Sequence, residues 1–179
     1  ADSASNTGQY FRFINNSSPA SNTGPVFQMT NDARQDSIRN CIIESNSTNG
    51  SVNTSSVVLS TTINSSGNDS ISIDNCLFKQ SAGTNPGRYY LAFSSTGTGS
   101  GEQTNSDNSI TNCNFTGMLA NSSVINVSGT GNGDNWIVSN NKFYNDINYS
   151  ASASLIQFQS AGSDNVTISG NSIGGSAPD

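Results

Sequence analysis

The chain has 179 residues, of which Asn, Ser, Thr and Gly make up 93, while apolar residues account for 32% and charged residues for 10%. That balance excludes a thick globular core, and no apolar run approaches the roughly 20 residues that span a bilayer. A formal net charge of −6, six basic residues scattered between Arg12 and Lys142, and no His argue against polyanion partners and remove imidazole-dependent mechanisms, Ser-His-Asp hydrolysis and His-bearing zinc sites among them. Leu, Ile, Val and Phe together number 35, close to the level at which disorder is expected, so periodicity has to decide.

In chain order, Tyr10-Phe11-Arg12-Phe13-Ile14 alternates as a strand within an incomplete first coil over 1–23. Val26-Phe27-Gln28-Met29 again places apolar side chains two apart, and Ile38-Arg39-Asn40-Cys41-Ile42-Ile43 follows. The two phrases then take turns: Val57-Val58-Leu59-Ser60 and Ile73-Asp74-Asn75-Cys76-Leu77-Phe78, then Tyr90-Leu91-Ala92-Phe93 and Ile110-Thr111-Asn112-Cys113-Asn114-Phe115. Val124-Ile125-Asn126-Val127 precedes Val138-Ser139-Asn140-Asn141-Lys142-Phe143, and Leu155-Ile156-Gln157-Phe158 precedes Ile168-Ser169-Gly170-Asn171-Ser172-Ile173. With Cys41, Cys76, Cys113, Asn141 and Asn171 as anchors, the spacings are 35, 37, 28 and 30 residues, which suits a solenoid with turns of changing length.

Stacking the repeats predicts three apolar columns: Ile38, Ile73, Ile110, Val138 and Ile168; Ile43, Phe78, Phe115, Phe143 and Ile173; and Phe27, Val58, Leu91, Ile125 and Ile156. The residues between them, such as Arg39, Asp74, Thr111, Ser139 and Ser169, are polar and alternate outward. A narrow prism of strands about 4.8 Å apart needs few inward side chains, so the low apolar content is what this all-β architecture expects. Trp136 shares the inward parity, and the Gly/Ser/Thr-rich stretch from Ser94 to Ser109 reads as a flexible loop.

The phrase Ser163-Asp164-Asn165-Val166-Thr167-Ile168-Ser169-Gly170-Asn171-Ser172-Ile173 and its relatives resemble the right-handed parallel β-helix repeats of the pectate-lyase-like superfamily over essentially the whole chain. More narrowly, Asn31-Asp32-Ala33, the Gly67-Asn68-Asp69 turn and Gly170-Asn171-Ser172-Ile173-Gly174-Gly175 are similar to β-helix segments of very large secreted surface proteins of Bacteroidota. The resemblance implies a single extracellular or cell-surface β-helix domain over 1–179, about five to six coils without a capping helix, and it implies no reaction. Bare strand edges at either end would then stack on adjoining coils of a larger chain or on another copy, head to tail.

Cys41, Cys76 and Cys113, continued by Asn141 and Asn171, form a structural ladder read as buried free thiols; paired C-x-x-C spacing and a fourth metal ligand are missing. Asn40, Asn75, Asn112 and Asn140 form an adjacent column suited to a sharp bend, and the sequence leaves open which of the two columns turns inward. Asp36, Asp69, Asp107, Asp134 and Asp164 each precede a strand; they either cap turn amides or, with Asp69, Asp107, Asp134 and Asp164 as ligands, share calcium, the one cofactor this set could take. Tyr89, Tyr144 and Tyr149 are the candidate carbohydrate platforms, favouring an adhesin segment as the alternative to a structural module. A polysaccharide lyase would need a basic residue beside calcium-binding acids, for which Arg39 next to Asp74 is the nearest match, and the plainer reading of that pair is a surface ion pair. The expectation is a non-enzyme with no catalytic residues, a secreted filament or surface module partnered by itself or by glycans, without nucleic acid or membrane insertion.

Overall fold

The computed structural model describes residues 11–15, 24–45, 56–60, 67–80, 93–96, 104–117, 123–128, 132, 134–144, 154–159 and 164–174. Among them there are strands and no helix. They come in sets of three: β1 (Phe11–Asn15), β2 (Phe27–Thr30) and β3 (Ser37–Arg39); β4 (Cys41–Ser45), β5 (Val57–Ser60) and β6 (Ser72–Asp74); β7 (Leu77–Gln80), β8 (Phe93–Thr96) and β9 (Ser109–Thr111). The sets β10 (Asn114–Thr116), β11 (Ser123–Ser128), β12 (Ile137–Ser139) and β13 (Lys142–Phe143), β14 (Ser154–Gln159), β15 (Thr167–Ser169) follow, and β16 (Ser172–Ile173) begins another.

Each set gives one strand to each of three sheets, ordered β1-β4-β7-β10-β13-β16, β2-β5-β8-β11-β14 and β3-β6-β9-β12-β15. All pairings are parallel. Successive strands in one sheet are thus separated by a full repeat, and period-two side chains send one parity inward and the other outward.

Two expected columns are present residue for residue. Ile38, Ile73, Ile110, Val138 and Ile168 lie in register, as do Ile43, Phe78, Phe115, Phe143 and Ile173, with Phe13 added above Ile43. The rings of Phe78, Phe115 and Phe143 stack at centroid separations of 4.8 Å, their planes 13° and 7° apart. Trp136 is fully buried, as its parity requires, and its indole N–H donates to the Asn105 carbonyl at 2.9 Å.

The third column differs from the expected one. Its register runs Phe27, Val57, Phe93, Ile125 and Ile156, so Val57 replaces Val58, which pairs with Gln28; Leu91 lies outside the described residues. The reason is local: Val57-Val58-Leu59 is apolar at both parities, so alternation could not fix which residues face the core, and all three are buried. The expected loop from Ser94 to Ser109 also contains structure, because Ser94–Thr96 belong to β8 and Asn105 is buried and bridged to Asn132.

Left-handed backbone turns the corners. Before the anchor, Asn40, Asn75, Asn112, Asn140 and Gly170 adopt φ of 56°, 50°, 54°, 56° and 63°. At the previous corner Gln35, Ser70, Asp107, Asn135 and Asn165 adopt 58°, 59°, 55°, 61° and 56°. Such φ costs a non-glycine residue about 1–2 kcal/mol in a helix, and Asn and Asp accept it best. The cost is offset because every corner N–H except those of the last corners, Asn165 and Gly170, donates to a carbonyl of the following repeat, as Asn75 does to Thr111 at 3.1 Å and Asn135 to Asp164 at 3.0 Å. Gly67 is required for another reason: a Cβ there would lie 1.7 Å from the Thr104 carbonyl oxygen of the next repeat.

Candidate functional site

The anchor column turns inward and the Asn40 column makes the bend. Cys41, Cys76 and Cys113 are buried free thiols. Each sulfur reaches back over the bend to the carbonyl two residues earlier: Cys41 to Arg39 at 3.0 Å, Cys76 to Asp74 at 3.4 Å and Cys113 to Thr111 at 3.1 Å. Burial pushes the Cys113 thiol well above its ordinary value; Cys41 is raised by burial and then by neighbouring Cys76. Cys76, the middle rung, is lowered by its hydrogen bond with Cys113, but at 0% exposure it meets no reagent.

Asn141 and Asn171 continue the column with amides that bond the preceding repeat. Asn141 Oδ1 accepts the Cys113 N–H at 2.9 Å while its Nδ2 donates to the Ile110 carbonyl at 2.9 Å. Asn171 Oδ1 accepts from the Asn141 N–H and Nδ2, and its own Nδ2 donates to Val138. A further buried ladder escaped the sequence reading. Asn105 Oδ1 accepts from both N–H and Nδ2 of Asn68, and Asn105 Nδ2 donates to Asn132 Oδ1. Its only sequence signal was an Asn one or two residues before Asp69, Asp107 and Asp134, hidden in a chain where Asn is everywhere.

Asp69 and Asp134 cap corner amides, and Asp107 bonds a corner side chain. Asp69 Oδ1 accepts the Ser106 N–H at 2.8 Å, Asp134 Oδ1 the Asp164 N–H at 2.9 Å, and Asp107 Oδ1 the Asn135 Nδ2 at 2.9 Å. Asp107 stands one position out of the column that holds Arg34, Asp69, Ser106, Asp134 and Asp164, because the Asp107 N–H bonds the Asp134 carbonyl. Among the described residues no His, Cys, Asp and Glu side chains gather in a group able to hold a metal ion. Burial raises Asp69, partly countered by the Ser106 amide and by Arg34.

The outward faces carry the remaining charge. Arg39 and Asp74 are register partners, as their spacing requires, but no ion pair joins them; Asp74 Oδ1 accepts from Thr111 Oγ1 and Asn112 Nδ2, both at 2.7 Å. On the outward face of the first sheet, Glu44 is only 5% exposed and holds Arg12 at 2.6 Å, with Lys79 at 3.9 Å. The sequence reading passed over this trio, although Glu44 and Lys79 stand at equal distances after Cys41 and Cys76. Tyr144 follows Phe143, is half-buried, and its N–H donates to the Phe115 carbonyl. Tyr89 and Tyr149 lie outside the described residues.

The two edges are apolar. Ile168 and Ile173 are 52% and 68% exposed on β15 and β16, although Val138 and Phe143, their neighbours in the same columns, are buried. At the opposite edge Phe11 and Phe13 are 67% and 39% exposed on β1. No helix among the described residues is long and apolar enough to cross a membrane. No protein family, no curated protein and no solved structure matches the chain.

Proposed function

We propose that the chain is a right-handed parallel β-helix serving as a structural module of an extracellular surface protein or fibre, extended by stacking coil on coil. The handedness follows the near-universal rule for parallel crossovers. The observation that carries the reading is that Ile168 and Ile173 sit in columns buried everywhere between the edges, yet are themselves exposed on edge strands paired on one side among the described residues. Apolar columns that run open to an edge provide a surface for more of the same coils. The polar groups serve the structure: buried thiols and amides close bends, carboxylates bond at the corners, and on the outward face Asp74 bonds Thr111 and Asn112 where a lyase would want it beside Arg39.

A second reading, a carbohydrate-binding adhesin segment, is favoured by one feature. Arg12, Lys79 and Lys142, three of the six basic residues, share the first sheet with Glu44, and Tyr144 directly follows its strand β13. A glycan array separates the two. The structural role predicts no saturable ligand, whereas a retained glycan released by Tyr144→Ala would replace it with the adhesin.

A further inference from the structure

The structure assigns a mate to the bare edge: β14, β15 and β16 of one copy dock on β1, β2 and β3 of a second copy, head to tail, with Asp164 facing Arg34. This rests on the proposed structural role and deepens it, committing the occupant to this same chain.

Register carries the first part of the argument. Continuing each sheet from its last strand onto the first strand of another copy sets Ile173 against Phe13, Ile168 against Ile38, Ile156 against Phe27 and Phe158 against Met29. All four matches are apolar on apolar, because both edges continue the same inward columns. Asn171 would meet Phe11, and it does so with its amide already satisfied by Val138 and Asn141.

Backbone polarity agrees. Along the chain a corner N–H donates to the carbonyl just before the corner of the following repeat: Asn140 to Ser169, and Asn135 to Asp164. The last corners, Gly170 and Asn165, find the equivalent carbonyls at Arg39 and Arg34 of a second copy.

Charge decides the orientation. The corner column begins with exposed Arg34, bridged to Asp69 through the backbone and ion-paired to Asp32 through its side chain, and ends with two like charges, Asp134 and Asp164, the second exposed. A second copy docked head to tail places a guanidinium against Asp164. Docking like edges would oppose Arg34 to Arg34 or Asp164 to Asp164. The contact is heterologous and leaves a fresh edge each time, so it yields open chains and not closed dimers.

The test compares wild type, Arg34→Asp, Asp164→Arg and the double swap by sedimentation velocity and negative-stain microscopy over a concentration series. Wild type should lengthen in steps of one chain, each single swap should lower the association constant about tenfold or more, and the double swap should restore it. Wild type that stays one chain long at millimolar concentration, or single swaps that assemble like wild type, would overturn the proposal. A wild-type monomer without a glycan ligand removes self-docking and leaves the structural role intact. A monomer that binds a glycan removes both.

Discussion

Replacing Phe115 by Ala cuts the middle ring from a three-ring stack and should be the most costly single truncation in the chain. Phe115 has no exposed surface, and its ring lies 4.8 Å from Phe78 on one side and from Phe143 on the other. A buried Phe→Ala change costs about 3–5 kcal/mol, and each aromatic pair adds about 0.5–1.5 kcal/mol beyond area burial. With both neighbours lost, the expected cost is about 5 kcal/mol, a large part of a typical domain's whole stability. Ile173→Ala is the control: it belongs to the same column but is 68% exposed, so its cost should stay near 0.5 kcal/mol. Equilibrium urea unfolding followed by circular dichroism and by Trp136 fluorescence, with the m-value checked for constancy, measures both. A Phe115→Ala cost below about 2 kcal/mol, or equal costs for the two variants, would refute the inward stack.

Three other outcomes follow from the ladders and corners. Asn141→Leu strands the Cys113 N–H and the Ile110 carbonyl and should cost about 2–5 kcal/mol in urea unfolding, whereas Asn141→Cys, which copies the residue at the three preceding rungs, should cost less than half as much. Gly170→Ala, at φ +63°, should lose about 1 kcal/mol, and Gly170→Asn, matching the residues stacked above it, should be milder in the same assay. Asp69 is raised in the folded state, so folding holds its proton more tightly, and its contribution is fully present below the ordinary value of 3.8 and is lost as pH rises through the raised folded value. Asp69→Asn should therefore be more stable than wild type at neutral pH, with the advantage vanishing as pH falls through that window; a difference that persists at pH 3 would contradict the assigned cause.

Much of the architecture was legible because alternation and repetition reinforce each other. Ile38, Ile73 and Ile110 are each flanked by polar residues, so their parity was unambiguous, and repetition carried it to Val138, which follows Ile137. The third column slipped at Val57-Val58-Leu59, where three consecutive apolar residues carry no parity. Which of Asn40 and Cys41 faces the core could not be read from residue type, since both fit a bend; the left-handed φ at Asn40 and its equivalents settles it. Buried Asn68, Asn105 and Asn132 stayed hidden for a compositional reason, because 27 Asn residues give any one column little contrast. Glu44 was missed because its burial depends on Arg12, a strand distant in sequence.

The ladder hydrogen bonds join residues 35, 37, 28 and 30 apart, and that spacing has a kinetic consequence. Closing a loop of roughly 30 residues costs about 3 kcal/mol of chain entropy by the logarithmic law, and the first pair of strands to meet has only each other to recover it. Every later strand finds a finished template with its donors and stacked rings already in place. Folding should therefore be slow to start and quick to spread, and unfolding should begin where templates end, at the half-exposed Ile168 and Ile173. A neighbour docked there would close the route by which the molecule comes apart.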